Sequence, residues 1–123
     1  MTNKTLLIDS RLKELFKKLN LSYEENYHYM DISNGEVVDY YFSYAIIDNM
    51  KPICFIDYCT TEVLRWYAKD LLTAKYIYHG MMEDVAFKIQ TSILLISEDM
   101  NEEKAIKRIE ENLKRILSVH VQK

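Results

Sequence analysis

Two aspartates, Asp39 and Asp57, are the side chains of this sequence best placed to do chemistry. Each is the one acid inside an apolar run, residues 37–47 for the first and residues 53–59 for the second. A carboxylate in a buried strand is costly unless it is paired, hydrogen-bonded or bound to a metal. Two such acids therefore suggest a divalent-metal site, and a hydrogen-bonding role at strand ends or turns is the alternative.

The two runs predict a buried β-hairpin. Both are rich in β-branched and aromatic residues, and the segment NMKP between them contains the only proline of the chain. A turn that pairs Asp48 with Ile53 places Tyr44 opposite the second acid. The two acids are then in opposite phases, and a bulge or an irregular turn is needed to bring both onto one face.

Sequence periodicity predicts the other elements. The predicted order is a helix at 5–19, strands at 22–32, 37–48 and 53–59, a helix at 62–78, a strand at 87–97 and a helix capped by Asn101. This αβββαβα order predicts an α/β (α+β) fold in one domain spanning residues 1–123. Three strands joined by short turns form an antiparallel meander, and a right-handed crossover adds the fourth strand. The result is a mixed four-stranded sheet with helices on both faces.

Composition and charge restrict the class of protein. The chain has 123 residues, of which 28% are charged, and its net charge is −3. It is long enough to bury a core without staples, and it has no global basic field to attract nucleic acid. No apolar run approaches the ~18 residues of a membrane span, so we expect a cytoplasmic protein with no membrane contact. Cys54 and Cys59 are expected to be reduced core thiols on opposite faces of one strand.

The order of elements and the two acids resemble the core of the PD-(D/E)xK nuclease superfamily, over most of residues 6–97. The family motif has one acid near the start of its second strand and, on the third strand, an acid, a spacer and a lysine. Asp39 matches the first acid, and Asp57 matches the second. The resemblance implies a Mg²⁺ site formed by these two acids, with Glu14 of the first helix as a further ligand.

The sequence departs from the family motif at two positions. Val38 stands where proline is common, and Cys59 stands where the lysine is expected. Some members supply the lysine from the following helix, so the catalytic residues that the resemblance implies are Asp39, Asp57 and Lys69. With the lysine lost, the resemblance implies a catalytically degenerate domain that binds nucleic acid or a protein partner. With it retained, the resemblance implies a divalent-metal-dependent endonuclease.

Two further hypotheses concern the surface. Arg65, Lys69 and Lys75 on the second predicted helix form a local basic patch for nucleic acid, although basic residues between core positions are ordinarily a solvated face. Ten tyrosines and an acidic net charge also resemble a small homodimeric interaction module or secretion chaperone, which holds a partner segment across its sheet. The three histidines have no spacing typical of a zinc site.

Overall fold

A computed structural model gives the fold of the protein. It describes residues 3–33, 36–59, 76–79, 86–89, 91–97 and 100–121. In chain order the elements are helix α1 (Asn3–Lys18), strands β1 (Ser22–Ser33), β2 (Glu36–Asp48), β3 (Lys51–Cys59), β4 (Tyr76–His79), β5 (Ala86–Ile89) and β6 (Ser92–Ser97), and helix α2 (Glu102–Val121).

The main sheet has four strands in the order β1-β2-β3-β6. β1 pairs antiparallel with β2 and β2 antiparallel with β3, whereas β6 pairs parallel to β3. The predicted α+β class and mixed four-stranded sheet are therefore confirmed. β4 and β5 form a separate antiparallel pair.

Hydrophobic residues are buried on both faces of the main sheet. On one face, which we call the helix side, buried residues of α1 and α2 such as Phe16 and Ile109 pack with Tyr44 and other residues of the sheet. The opposite face, which we call the aromatic side, has a second cluster that includes Phe42 and Phe55. The rings of these two phenylalanines stack with centroids 4.2 Å apart. The sheet is thus buried from two sides along its inner strands.

An asparagine marks the C-terminal end of α1 and another marks the N-terminal end of α2. After α1, Asn20 has a φ of 56°, the left-handed conformation in which asparagine ends helices. Before α2, the side chain of Asn101 accepts a hydrogen bond from the Lys104 amide at 3.2 Å, which confirms the predicted N-cap. The apolar stripe of each helix faces the core, as its sequence period predicts.

Two predicted elements differ from the structure. Residues 60–75 lie outside the described residues, and with them most of the second predicted helix. Its predicted end is wrong, because residues 76–78 belong to β4. The strand predicted at 87–97 is divided into β5 and β6. Tyrosine and isoleucine at 76–78 continue the helical spacing but also favour strands, so periodicity does not separate the two states there.

The β2-β3 hairpin differs in register from the prediction. Both residues of its turn, 49–50, have positive φ, as a type I′ turn requires. A β-bulge near the turn shifts the pairing, so that Tyr44 lies opposite Ile56. Continued by one residue, this register places Asp57 opposite Ser43, and not opposite Tyr44.

The ribbon formed by β1 and β2 changes faces part-way along its length. Tyr23 of β1 and Tyr44 of β2 pack on the helix side, whereas Tyr27 and Phe42 pack on the aromatic side. Regular strands would place residues separated by an even number on the same face. The alternation of both strands is therefore interrupted between these positions.

The interruption lies at Asn26 and at Ser43, which faces it across the ribbon in the register of the flanking pairs. Asn26 has a φ of 51°, a left-handed conformation that asparagine tolerates better than most residues. We call this interruption the face switch. Beyond it, residues 27–33 and 36–42 form what we call the outer ribbon.

Candidate interaction surface

Asp57 is buried on the aromatic side of β3. Its Oδ1 accepts hydrogen bonds from Ser43 Oγ at 2.8 Å and from the Tyr58 amide at 3.0 Å. Its Oδ2 accepts one from Tyr40 Oη at 2.5 Å. Three donors satisfy a carboxylate that would otherwise be costly to bury, so these contacts fit the hydrogen-bonding alternative and tie β3 to β2.

Asp39 lies on the other side of the sheet. Because Phe42 faces the aromatic side, the alternation of β2 turns Asp39 to the helix side. There it is exposed, and its Oδ1 lies 2.6 Å from His28 Nε2. Along β2 it is also separated from Ser43, the neighbour of Asp57, by roughly 13 Å at about 3.3 Å per residue. The structure does not bring Asp39 and Asp57 together.

Two irregularities, the bulge and the face switch, determine which face of the sheet each acid occupies. The bulge in the hairpin puts Asp57 on the same face as Ala45 and Ile47 of β2. A regular β2 would place Asp39 on that face as well, since the three residues are separated by even numbers. The face switch at Ser43 turns Asp39 to the opposite face. The bulge that the sequence analysis required is therefore present, but together with the face switch it does not create a common site.

Glu14 is the one remaining predicted site residue that lies among the described residues. Glu14 is exposed on α1, which packs on the helix side and thus on the face opposite Asp57. The predicted basic residues fall outside the described residues: Arg65, Lys69 and Lys75. Where the structure describes side chains, no group of three His, Cys, Asp or Glu residues is arranged to hold a metal ion.

A second hydrogen-bonded acid, for which the sequence carries no motif, lies between α1 and the sheet. Asp9 Oδ1 accepts hydrogen bonds from Tyr44 Oη at 2.8 Å and from Tyr58 Oη at 2.5 Å. Burial, followed by the hydrogen bond to Asp9, raises the pKa of both tyrosines far above the usual value. The available signal was the position of Asp9 beside Ile8 at the border of the apolar stripe, although helical period alone does not tell a satisfied acid from a solvated one.

The two cysteines are buried, as predicted. Cys54 packs on the helix side and Cys59 on the aromatic side. Burial, with a smaller contribution from Asp57, raises the pKa of Cys59 to about 12. Because the thiolate is the reactive form of cysteine, complete burial and a raised pKa are typical of a core residue.

The outer ribbon presents an exposed face on the helix side. We call it the ribbon face, and its residues are His28, Met30, Ile32, Val37, Asp39 and Tyr41. Four of them are large apolar side chains, exposed by 60% (Met30), 71% (Ile32), 69% (Val37) and 58% (Tyr41). A single exposed apolar side chain is ordinary, but a group of them on one face is typical of an interaction site.

Contacts between the strands order part of the ribbon face. The His28 ring stacks on the Tyr41 ring, with centroids 4.6 Å apart and an interplanar angle of 9°. The same His28 ring also contacts Asp39, because its Nε2 lies 2.6 Å from Asp39 Oδ1. Such pairs across an antiparallel ladder stabilise the side chains in place. A surface that is already ordered loses less conformational freedom on binding.

The segment that contains the ribbon face is acidic. Residues 19–50 contain six Asp or Glu and no Lys or Arg. The rest of the chain carries a formal charge of +3, since it holds the other 13 acids and all 16 basic residues. One of the six acids, Glu25, is paired with Lys13 of α1 at 3.1 Å. The remaining excess of acids disfavours phosphate groups and favours basic protein segments.

Comparisons with models of protein families, with curated proteins and with solved structures each find no match to this chain. Neither helix of the described residues combines the length and the apolar content that crossing a membrane requires. Among the described residues, the ribbon face is the feature from which we infer a function.

Proposed function

We propose that this protein is an interaction module that binds a segment of another protein on its ribbon face. The observation that carries the proposal is the cluster of four large apolar side chains, each more than half exposed on one face of the outer ribbon. Full burial of a side chain of this size gains about 1.5–3 kcal/mol. Four partial gains of this kind, less the cost of association, suit a transient complex.

The charge of the segment decides between classes of partner. Six acids and no basic residue in residues 19–50 disfavour nucleic acid, whose binding depends on contacts from Lys and Arg to phosphates. A two-fold dimer through the ribbon face would set the same acids, including Asp39, against their own copies. Both considerations favour a segment of a different protein.

Val37→Ser should weaken binding by about tenfold or more, because it removes a large part of the exposed apolar surface. The probe is a displayed library of random dodecapeptides selected on the native chain, followed by fluorescence anisotropy of the selected peptides. Val119→Ser is the matched control, since Val119 is a similarly exposed valine on α2, outside the ribbon. It should leave the affinity unchanged.

Three results would overturn this proposal. Peptides that bind Val37→Ser as tightly as the native chain would place the site elsewhere. A selection that yields no binder at all would remove the basis for a peptide-binding face. Sedimentation that shows a dimer of the native chain, broken by Val37→Ser, would replace the proposal with a homodimeric module.

A nuclease-like core is the second candidate function, and the strand order favours it. An antiparallel meander of β1, β2 and β3, with β6 parallel to β3, agrees with the arrangement that the resemblance implies. Because Asp39 and Asp57 do not converge, the form that we propose under this alternative is the catalytically degenerate one, with no Mg²⁺ shared by the two acids.

Mg²⁺ or Mn²⁺ should leave the thermal unfolding temperature of the native chain unchanged. An ion held jointly by Asp39 and Asp57 would stabilise the folded state by mass action. The stabilisation would then disappear in Asp39→Asn and in Asp57→Asn but persist in Asp48→Asn, an exposed acid beside the hairpin turn that serves as control. That pattern, measured by differential scanning fluorimetry, would restore the metal site.

A further inference from the structure

We infer that the partner segment is extended and basic, and that it adds to the main sheet as a strand beside β1. This inference rests on the proposed function and specifies the partner of the same surface. In strand addition, main-chain hydrogen bonds at an open sheet edge supply affinity, and contacts of alternate side chains supply specificity.

β1 is an edge of the main sheet in the part of the chain that the structure describes. It ends the strand order, and its 12 residues compare with six in β6 at the other end. No proline or lysine interrupts β1, although these are residues with which proteins commonly protect an edge. Beyond the face switch, residues 27–33 are long enough to pair with a strand of usual length.

At the opposite edge of the sheet, a side chain occupies one backbone acceptor. Arg108 of α2 is partly buried, and its Nη1 donates a hydrogen bond to the Leu95 carbonyl oxygen of β6 at 2.8 Å. This contact occupies a backbone acceptor that an added strand would need. The two edges of the sheet thus differ in length and in protection, and β1 is the edge suited to addition.

The sequence of β1 indicates the charge of the added strand. Glu24, Glu25 and Asp31 are its charged residues, apart from one histidine, and it has no Lys or Arg. Glu25 is already paired with Lys13 of α1 at 3.1 Å, so Glu24 and Asp31 are the acids that indicate the charge of a partner. Opposite charges on facing strands are favourable and like charges are unfavourable. A second copy of β1 would set acids against acids, whereas a strand with Lys or Arg would pair with them. Apolar residues alternating with those basic residues would lie beside Met30 on the ribbon face.

N-methylation of a selected peptide tests the strand mode. A methyl group on an amide that pairs with β1 should weaken binding by about tenfold or more, whereas methylation of the alternate amides should leave it unchanged. The sensitivity should therefore have a period of two residues. In the complex, hydrogen exchange should slow for β1 amides at 27–33, and the amides of α2 provide the internal control.

The outcomes of these experiments distinguish a failure of the proposed binding mode from a failure of the proposed binding site. Strand addition would be overturned if the effects of N-methylation lacked a period of two residues, or if amide hydrogen exchange at 27–33 were unchanged in the complex. If Val37→Ser still weakens the same peptides, the ribbon face remains the binding site and only the mode fails; if it does not, both proposals fail. Selected peptides without net positive charge, or affinity that does not fall as salt is raised, would overturn the basic partner.

Discussion

Asp57→Ala should lower the free energy of unfolding by about 3 kcal/mol or more. The substitution removes the acceptor of three donors, namely the hydroxyls of Tyr40 and Ser43 and the amide of Tyr58. The contact with the Tyr58 amide is buried and the contacts with the two hydroxyls are partly buried, so loss of the acceptor removes hydrogen bonds that water replaces only in part. The effect is one of stability and does not depend on any ligand.

Urea unfolding at neutral pH measures this loss. Asp39→Ala is the matched control, because Asp39 is an exposed acid on the neighbouring strand, and it should change the free energy of unfolding by no more than about 0.5 kcal/mol. Asp57→Asn keeps one oxygen acceptor and should fall between the two. Equal effects of the two alanine substitutions would contradict the structural role of Asp57.

Stability should also fall steeply above about pH 10. The pKa of Tyr44 and of Tyr58 is raised in the folded state by burial and by the hydrogen bond to Asp9, whereas tyrosines of the unfolded chain titrate near 10. Between these values the unfolded state binds fewer protons than the folded state. Each tyrosine therefore lowers the free energy of unfolding by up to about 1.4 kcal/mol per pH unit, and its stabilisation is fully present below about pH 10.

The double variant Tyr44→Phe/Tyr58→Phe isolates this contribution. It should reduce the slope of stability against pH by up to about 2.7 kcal/mol per pH unit, measured by urea unfolding between about pH 9 and about pH 11. The buried thiols of Cys54 and Cys59, whose pKa values are also raised, contribute a slope of the same sign that remains in the variant. An unchanged slope in the double variant would contradict the burial of the two hydroxyls.

Most of the fold follows from patterns that a single sequence displays. Helical stripes, strand runs and the cap at Asn101 locate α1, α2 and the first three strands, because each pattern has one period and a clear end signal. The face switch does not follow in this way. A positive φ at Asn26 is one conformation that asparagine tolerates among several, and only tertiary packing selects it.

The site is less predictable than the fold, since it depends on the faces of strands. Apolar context predicts that both acids are buried, which is confirmed for Asp57 and wrong for Asp39. Whether the two acids share a face depends on a bulge and a switch that act together. The acidic charge of residues 19–50 can be counted in the sequence. The exposure of Met30 and Val37 cannot be predicted from the sequence, because the same residues fit a buried strand equally well.

The face switch connects the fold to the proposed function. Through it, the aromatic side chains Tyr27 and Phe42 join the cluster around Phe55, and the alternate residues of the same strands become the exposed ribbon face. The hydrogen bonds of Asp57 to Tyr40 and Ser43 hold the strands together at the point where the switch occurs. A stable junction here keeps the ribbon face ordered for a partner.

Amide chemical shifts of the isotope-labelled chain, recorded while a selected peptide is added, test the central claim most directly. We expect the largest changes at residues 27–33 and 36–42, with the amides of α2 unmoved. Changes concentrated on α1 or α2, with the outer ribbon unaffected, would contradict the ribbon face as the binding site.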